Sequence, residues 1–294
     1  MFTYPVEYRR PASIDEAVGI IANTPDSRAV AGGQSLIAAM KLRLSAPTAL
    51  VDLGALQGLS SIDVRTREVE IGAMARHAEV ARSADVTRAV PALAALAAGI
   101  GDRQVRNMGT MGGSVANNDP AADYPSAVLA LDGMVHTTKR SIASDQFFRG
   151  LYETALDPDE LLTSITFRIP RRAAYLKFKN VASRFALVGV FLADFGDSVR
   201  LAVTGAGAGV FRVADMEDAL RRDFRPDALG GLRVPADLLS TDIHASAAYR
   251  AHLISVLAKR AVQVAIDGQT GPSDGWQIEH RQETQHESNV QRRG

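Results

Sequence analysis

Two glycine-containing segments are the places in this sequence where residue type and spacing most clearly suggest chemistry. The first glycine segment, residues 31–36, reads AGGQSL and follows a short apolar stretch; the second glycine segment, residues 110–114, reads TMGGS. Consecutive glycines allow several backbone N–H groups to point at one anion, because no Cβ atom stands in the way. Such an arrangement binds phosphate. An ordinary turn is the alternative, and it is favoured for either segment taken alone.

Neither segment is a standard nucleotide-binding motif. The first lacks the G-x-G-x-x-G pattern of a dinucleotide-binding unit and the lysine of a Walker loop. In the second, Thr110 and Ser114 bracket Gly112 and Gly113 and add two hydroxyl groups. The two segments together could hold one pyrophosphate, which needs more donors than one turn supplies. From the spacing alone, two independent turns are an equally good interpretation.

Polar residues beyond the glycines have both a structural and a functional interpretation. Asp123 stands near a predicted helix start, where it is either a capping carboxylate or an acceptor for the hydroxyls of a sugar chain. Lys177 and Lys179 alternate along a predicted strand. Lysines there are usually solvated, but a lysine can also stabilise an anionic cofactor ring. Asn117 and Asn118 are interpreted as turn formers.

Composition argues against several functional classes. The 294 residues include 33 Lys and Arg and 33 Asp and Glu, and no basic stripe with interleaved aromatics occurs, which argues against nucleic-acid binding. The chain has no cysteine, so it cannot hold an iron–sulfur cluster through cysteines or use a thiol nucleophile. No apolar run of about 18 residues and no signal-peptide pattern occurs, which predicts a cytoplasmic protein without a membrane span.

The hydrophobic pattern predicts an α+β protein in several parts. Ser13 stands three residues before Glu16, a capping box that predicts the start of the first helix. Short alternating strands and helical runs then follow one another along the chain. The predicted parts are a β-α-β unit at residues 1–56, a second α+β subdomain at 57–172, a C-terminal domain of three strands plus helices at 173–270, and a polar tail at 271–294.

Several motifs, in the same order, resemble the FAD-binding medium subunits of the molybdenum hydroxylase family, which includes xanthine dehydrogenases and aerobic carbon monoxide dehydrogenases. The carbon monoxide dehydrogenase medium subunits are the most similar group. The motifs are AGGQSLIAAMKLRL, VDLGAL, IGAM, GDRQVRNMGTMGGSVANNDPAADYP and LLTSITFRIP. The resemblance covers nearly the whole chain. It implies a two-subdomain FAD-binding fold of the vanillyl-alcohol-oxidase type, followed by a small C-terminal domain of three strands and helices.

The resemblance also implies a set of FAD-binding residues. Asp123 is expected at the sugar chain of FAD, Leu161 near the flavin ring and Lys177 at the polar edge of the ring. A small slip of the alignment would substitute Leu162 for Leu161, or Lys179 for Lys177. No residue is expected to act in acid–base catalysis or to bind a metal. The residues expected around the pyrophosphate are Ala31, Gly32, Gly33, Gln34, Ser35 and Leu36 of the first glycine segment, and Thr110, Met111, Gly112, Gly113 and Ser114 of the second.

The family further implies a division of labour among subunits. A large molybdopterin subunit oxidises the substrate, a small subunit relays electrons through two [2Fe-2S] clusters, and the FAD of this chain passes them to an external acceptor, within a dimer of heterotrimers. The alternatives are a stand-alone flavin-dependent oxidase or dehydrogenase and a scaffold subunit without FAD. Carbon monoxide, purines, N-heterocycles and aldehydes are all substrates that such a complex could oxidise.

Overall fold

The N-terminal part of the computed structural model, which describes residues 2–268, is a small parallel sheet with two helices. Its elements are β1 (Glu7–Arg9), α1 (Ile14–Asn23), β2 (Arg28–Val30), α2 (Leu36–Lys41) and β3 (Ala49–Asp52). The strand order is β1-β3-β2. The side chain of Ser13 accepts a hydrogen bond from the amide of Glu16 at 3.1 Å, which confirms the predicted start of α1.

The middle part is an antiparallel five-stranded sheet covered by short helices. Its elements are β4 (Ile62–Val64), β5 (Glu68–Gly72), α3 (His77–Arg82), α4 (Ala84–Ala89), α5 (Pro91–Ala98), α6 (Arg103–Met108), α7 (Met111–Asn117), α8 (Tyr124–Ala130), β6 (Met134–Thr137), β7 (Ser141–Ala143), α9 (Ser144–Phe147), β8 (Phe148–Gly150), β9 (Glu153–Thr154) and β10 (Leu162–Arg168). The sheet has the order β4-β5-β10-β6-β7, and β8 pairs with β9 separately. Val69 and Ile71 alternate along β5 and are fully buried, as period-two patterning requires.

An antiparallel four-stranded sheet lies between the middle part and a long helix. Its elements are β11 (Arg172–Lys179), β12 (Ala186–Asp194), β13 (Val199–Thr204), β14 (Phe211–Arg212), α10 (Ala214–Arg222) and α11 (Ala247–Asp267). Because neighbouring strand residues face opposite ways, Tyr175 and Phe191 join the core of the middle part. Leu176 and Val190 pack in the second core, which includes residues of α11. Short 3-10 turns occur at Leu53–Ala55, Pro226–Leu229 and Ala236–Leu238.

The α+β fold class predicted from the sequence is confirmed, with two corrections. The predicted C-terminal domain has three strands, whereas its sheet has a fourth, β14, because Phe211 and Arg212 pair with β13. The second glycine segment, interpreted as a turn, instead opens α7, where the Thr110 hydroxyl accepts from the amide of Gly113 at 3.1 Å. No helix within residues 2–268 is both long and apolar enough to cross a membrane. The predicted tail, residues 271–294, lies outside the described residues.

Candidate cofactor site

The two glycine segments lie in direct contact. A Cβ atom placed on Gly32 would lie 2.2 Å from the carbonyl oxygen of Met108 and 2.6 Å from the Cα atom of Gly109. The Cβ atom of Ala31 lies 3.5 Å from the position that a Cβ atom on Gly113 would occupy. Only glycine allows this approach of two backbones. The segments are therefore neighbours, as a shared binding site requires.

The first glycine segment presents backbone donors that the protein itself does not use. Among the described residues, the amides of residues 32–35 donate no hydrogen bond. Gly33 has a φ of +69°, the left-handed conformation that glycine adopts at least cost. Ser35 makes no side-chain capping bond to α2, so its hydroxyl is also available. These groups are suited to an anionic ligand.

The second glycine segment uses its amides inside the protein. The amides of Met111 and Gly112 donate to the carbonyl oxygens of Ala75 and Ala73, both at 2.9 Å. The amide of Ser114 donates to the carbonyl oxygen of Thr110 at 3.1 Å, and Gly113 donates to the hydroxyl of the same threonine. The expectation that this segment offers free N–H groups is therefore wrong for these residues. The hydroxyl proton of Thr110 and the hydroxyl of Ser114 remain available to a ligand.

Two residues of the second glycine segment serve packing. Met111 is fully buried in the core of the middle part. A Cβ atom on Gly112 would lie 2.5 Å from the Cβ atom of Ala73, so this glycine permits α7 to lie against the residues that follow β5.

A cleft of about 470 Å³ opens between the N-terminal and middle parts beside the glycine segments. Its volume lies within the range typical of small-molecule sites. Sequence reasoning missed several of the polar residues in its lining. Tyr8 donates a very short hydrogen bond to Asp52, which raises the pKa of the tyrosine, and Asp52 also accepts from the amide of Gly54 at 2.8 Å. The lining includes Ala31, Gly32, Gly33 and Thr110 together with Tyr8, Asp52, Arg76 and Glu79.

Asp123, Tyr175 and Lys177 form a buried polar centre between the middle part and β11. The Nζ atom of Lys177 lies 2.9 Å from Oδ1 of Asp123, and the side chains are 1% and 5% exposed. The Tyr175 hydroxyl donates to the same carboxylate, and burial, followed by the charge of Asp123, raises the pKa of that hydroxyl well above its usual value. Asp123 makes no capping bond to α8, so the capping interpretation is wrong.

The structure distinguishes the neighbouring residues that an alignment slip would exchange. Lys177 is buried, whereas Lys179, the last residue of β11, is exposed. Leu161 packs with residues of the N-terminal part, whereas Leu162 packs in the core of the middle part. Leu161, which directly precedes β10, thus packs on the side of the N-terminal part.

Two further sequence features have structural roles. Asn118 adopts a left-handed conformation at the end of α7, and its amide nitrogen donates to the carbonyl oxygens of Gly150 and Glu153 at 2.9 and 2.8 Å. This agrees with its interpretation as a turn former. His77 is buried beside Gly109, and burial, together with the charge of Arg106, lowers its pKa to about 4. Its imidazole is therefore neutral at pH 7.

Comparisons with known proteins agree with this geometry. A family model described as "FAD binding domain in molybdopterin dehydrogenase" matches residues 4–172. The nicotine 6-hydroxylase medium subunit of Paenarthrobacter nicotinovorans is 36% identical over 87% of this chain and 96% of its own length. The carbon monoxide dehydrogenase medium chain of Hydrogenophaga pseudoflava is 31% identical over 88% of this chain and 96% of its own.

The three-dimensional similarity covers the same extent. The structure of reconstituted CO dehydrogenase from Oligotropha carboxidovorans contains a chain that superimposes with a TM-score of 0.82. The two chains are 30% identical, and the match covers 90% of this chain and 99% of that one. The chain belongs to the FAD-binding medium subunits of the molybdenum hydroxylase family.

Proposed function

We propose that this chain is the electron-transfer subunit of a molybdopterin and iron–sulfur complex of the carbon monoxide dehydrogenase type. It receives electrons from [2Fe-2S] clusters of a small partner subunit and passes them to an external acceptor. The observation that carries this proposal is the contact between the two glycine segments beside a cleft, within a chain that has no cysteine for a cluster of its own. FAD suits this role because, when bound, it can exchange electrons singly or in pairs.

The residues of the first glycine segment fit the pyrophosphate of FAD. The amides of residues 32–35 are unpaired within the described residues, and Gly32 leaves no room for a side chain between the segments. We assign Ala31, Gly32, Gly33, Gln34, Ser35 and Leu36 to this role. The second segment contributes its hydroxyl groups, from Thr110 and Ser114. Met111, Gly112 and Gly113 form the support behind them and hold the two segments together.

The buried polar centre fits the other end of the cofactor. A carboxylate has about four lone-pair sites. The contacts that Tyr175 and Lys177 make with Asp123 leave acceptor capacity for a hydroxyl of the sugar chain. Lys177 approaches the polar edge of the flavin ring in this proposal, and Leu161 packs against the ring. The lysine is held in place by the carbonyl oxygen of Gly99 at 3.0 Å.

Spectroscopy of the chain with and without its partners tests the proposal. The purified chain should show a flavin spectrum. A substrate of the complex should bleach that spectrum only when the large and the small iron–sulfur subunits are present. Bleaching of the isolated chain by substrate would instead identify a stand-alone dehydrogenase, and a preparation that never contains flavin would identify a scaffold subunit. Co-purification with two other subunits, as a dimer of heterotrimers, belongs to the same proposal. A cytoplasmic location stays a prediction from the sequence.

A further inference from the structure

Three cationic side chains converge on the backbone that follows α5. The Nζ atom of Lys177 lies 3.0 Å from the carbonyl oxygen of Gly99. The Nη1 atom of Arg106 lies 2.8 and 3.1 Å from the carbonyl oxygens of Ile100 and Gly101. The Nη1 atom of Arg184 lies 3.4 Å from the carbonyl oxygen of Gly101. Arg106 and Arg184 thus share one acceptor, although their charges repel each other.

Two further arginines extend this group. Arg103 precedes Arg106 by three residues on α6, so the two side chains share one face of the helix. Arg82 ends α3, which packs against α6. Burial lowers the pKa of Arg106, and the charges of Arg103, Arg184 and Arg82 lower it further. We call Arg82, Arg103, Arg106 and Arg184 the arginine cluster.

The charge of the arginine cluster is not neutralised by the described residues. None of its four guanidinium groups forms an ion pair with a carboxylate within residues 2–268. Asp102 is the carboxylate that acts on Arg106, and its Oδ1 atom is already used to cap α6 through the amide of Val105 at 2.8 Å. Lys177 adds no net charge, because it is paired with Asp123. In a chain with a formal net charge of zero, this is a local excess of positive charge.

The cluster is accessible and built on a fixed backbone. Arg82, Arg103 and Arg184 are exposed, and Arg106 is half-buried. Arg184 lies at the tip of the hairpin between β11 and β12 with a φ of +63°, and its amide donates to the carbonyl oxygen of Asn180 at 2.8 Å. A guanidinium group has five donors, and Arg184 uses one of them within the described residues. The remaining donors and the local charge are suited to a multiply charged anion.

We propose that the arginine cluster binds the anionic group of a small electron acceptor and so directs anionic acceptors to the FAD of this chain. The inference rests on the proposed function, because Lys177 links the cluster to the expected polar edge of the flavin. A small acceptor fits better than a protein surface, since the guanidinium groups of Arg106 and Arg184 meet at a single carbonyl oxygen. Oxidation of the two-electron-reduced flavin by ferricyanide uses two ferricyanide ions. Each ion takes one electron and becomes ferrocyanide, and the flavin releases its protons to solvent.

The test compares a trivalent anion with a neutral acceptor. The full-length chain loaded with FAD is photoreduced without oxygen and mixed with ferricyanide or with duroquinone in a stopped-flow instrument. Arg103→Gln/Arg184→Gln should lower the second-order rate constant for ferricyanide by about tenfold at low salt, where steering is strongest. The rate constant for duroquinone should stay within about twofold, because steering acts on charge. Arg67→Gln is the matched control. Arg67 is also exposed, but it lies at the end of β5 opposite the one that meets the second glycine segment.

A binding measurement gives a readout that does not depend on electron transfer. Ferrocyanide should bind the FAD-loaded wild-type chain in a calorimetric titration, more weakly as salt rises, and binding should be lost in the double variant but not in Arg67→Gln. The inference would be overturned if the double variant reacted with each acceptor as fast as wild type does. It would also be overturned if the rate constants for ferricyanide and duroquinone fell by the same factor. If the double variant, produced together with the two partner subunits, no longer co-purified with them while wild type did, the cluster would belong to a protein interface and the inference would be overturned. A chain that never retains FAD would count against the proposed function itself.

Discussion

The two glycine segments lie against each other and each contains a Gly-Gly pair, yet they use their glycines in different ways. In the first, the amides of residues 32–35 have no acceptor among the described residues, and Gly33 adopts a left-handed conformation. In the second, every amide of residues 111–114 donates within the protein, and Gly112 lies against Ala73 without room for a Cβ atom. The first segment thus has backbone donors that the described residues do not use, whereas the second provides close packing.

This difference shows that a glycine pair has no single meaning. Removing a Cβ atom frees a backbone to approach either a ligand or another backbone, and the sequence is the same in both cases. The groups that surround a glycine pair decide which of the two roles it has. From the second segment the chain runs through α7 to Asp123, which Lys177 and Tyr175 contact. Substitutions in this part of the chain should therefore lower stability. Substitutions in the first segment should weaken FAD binding more than they weaken the fold.

The largest loss of stability is expected at Lys177, which forms the buried ion pair with Asp123 beyond α7. Lys177→Met leaves the charge of Asp123 buried without its cation, which should lower the free energy of unfolding by about 3–5 kcal/mol. Urea denaturation followed by circular dichroism measures this change. Lys179→Met, at the exposed end of the same strand, should cost less than about 1 kcal/mol. The double variant Asp123→Leu/Lys177→Met should recover much of the loss; equal losses for both lysines would show that the buried pair is not the anchor.

A pH effect is expected at His77, which contacts Gly109 just before the second segment. Its pKa is lowered from 6.5 to about 4 in the folded protein, so the unfolded chain binds more protons between these values. Stability is therefore fully present above pH 6.5 and is lost as the pH falls toward 4, by about 3 kcal/mol in total. Urea unfolding across this range should show the loss in wild type and a flatter profile in His77→Leu. A wild-type profile as flat as that of the variant would rule out a buried neutral His77.

Packing by the second segment predicts a destabilising Gly112→Ala. The new Cβ atom would lie 2.5 Å from the Cβ atom of Ala73, and relief of this overlap should cost about 2 kcal/mol. Gly19→Ala is the matched control in α1, because no atom lies within 4 Å of its Cβ position. There alanine should stabilise the helix by up to about 1 kcal/mol. Thermal and urea unfolding of the pair measure the difference, and changes of the same sign would contradict close packing at Gly112.

Ligand binding by the first segment predicts that Gly33→Ala mainly affects FAD. A left-handed alanine costs about 1 kcal/mol, and altered amide directions should raise the dissociation constant of FAD by about tenfold. Gly58→Ala carries the same kind of backbone strain, since Gly58 has a φ of +82°, but without the 3.1 Å approach to Cγ1 of Ile37 that a Cβ atom on Gly33 would make. It should lose no more stability than Gly33→Ala and keep its FAD affinity. Fluorescence titration of FAD tests this, and equal affinities in both variants would remove the first segment from the site.

Some of this architecture could be predicted from local sequence signals, and some could not. The Ser13 cap and the alternation of β5 act within a few residues, so the sequence alone locates them. The helix α7 was missed because Gly112 and Gly113 disfavour helix locally, while its first amides are satisfied by Ala73 and Ala75 from a distant part of the chain. Such tertiary support leaves no local signature.

The same holds for the site. The glycine segments and Asp123 are recognisable by residue type, but Tyr175 reaches Asp123 across 52 positions and looks like any strand tyrosine. Tyr8 and Asp52 are likewise joined across 44 positions by a parallel sheet. Which glycine segment keeps its amides free was not predictable at all, because it depends on acceptors that other elements provide.

The smallest expected effect concerns the hydroxyl that both segments border, that of Thr110. Thr110→Val keeps the shape but removes the cap of α7, which should cost about 1 kcal/mol of stability. Ser83→Ala, which removes the cap that Ser83 gives α4 through the amide of Val86, should cost about the same and leave FAD affinity unchanged. Thr110→Val should in addition weaken FAD by about threefold to tenfold, the value of one hydrogen bond. Unchanged FAD affinity would mean that the Thr110 hydroxyl does not contact FAD. The second segment would then support the site by packing, and the first segment would provide the donors.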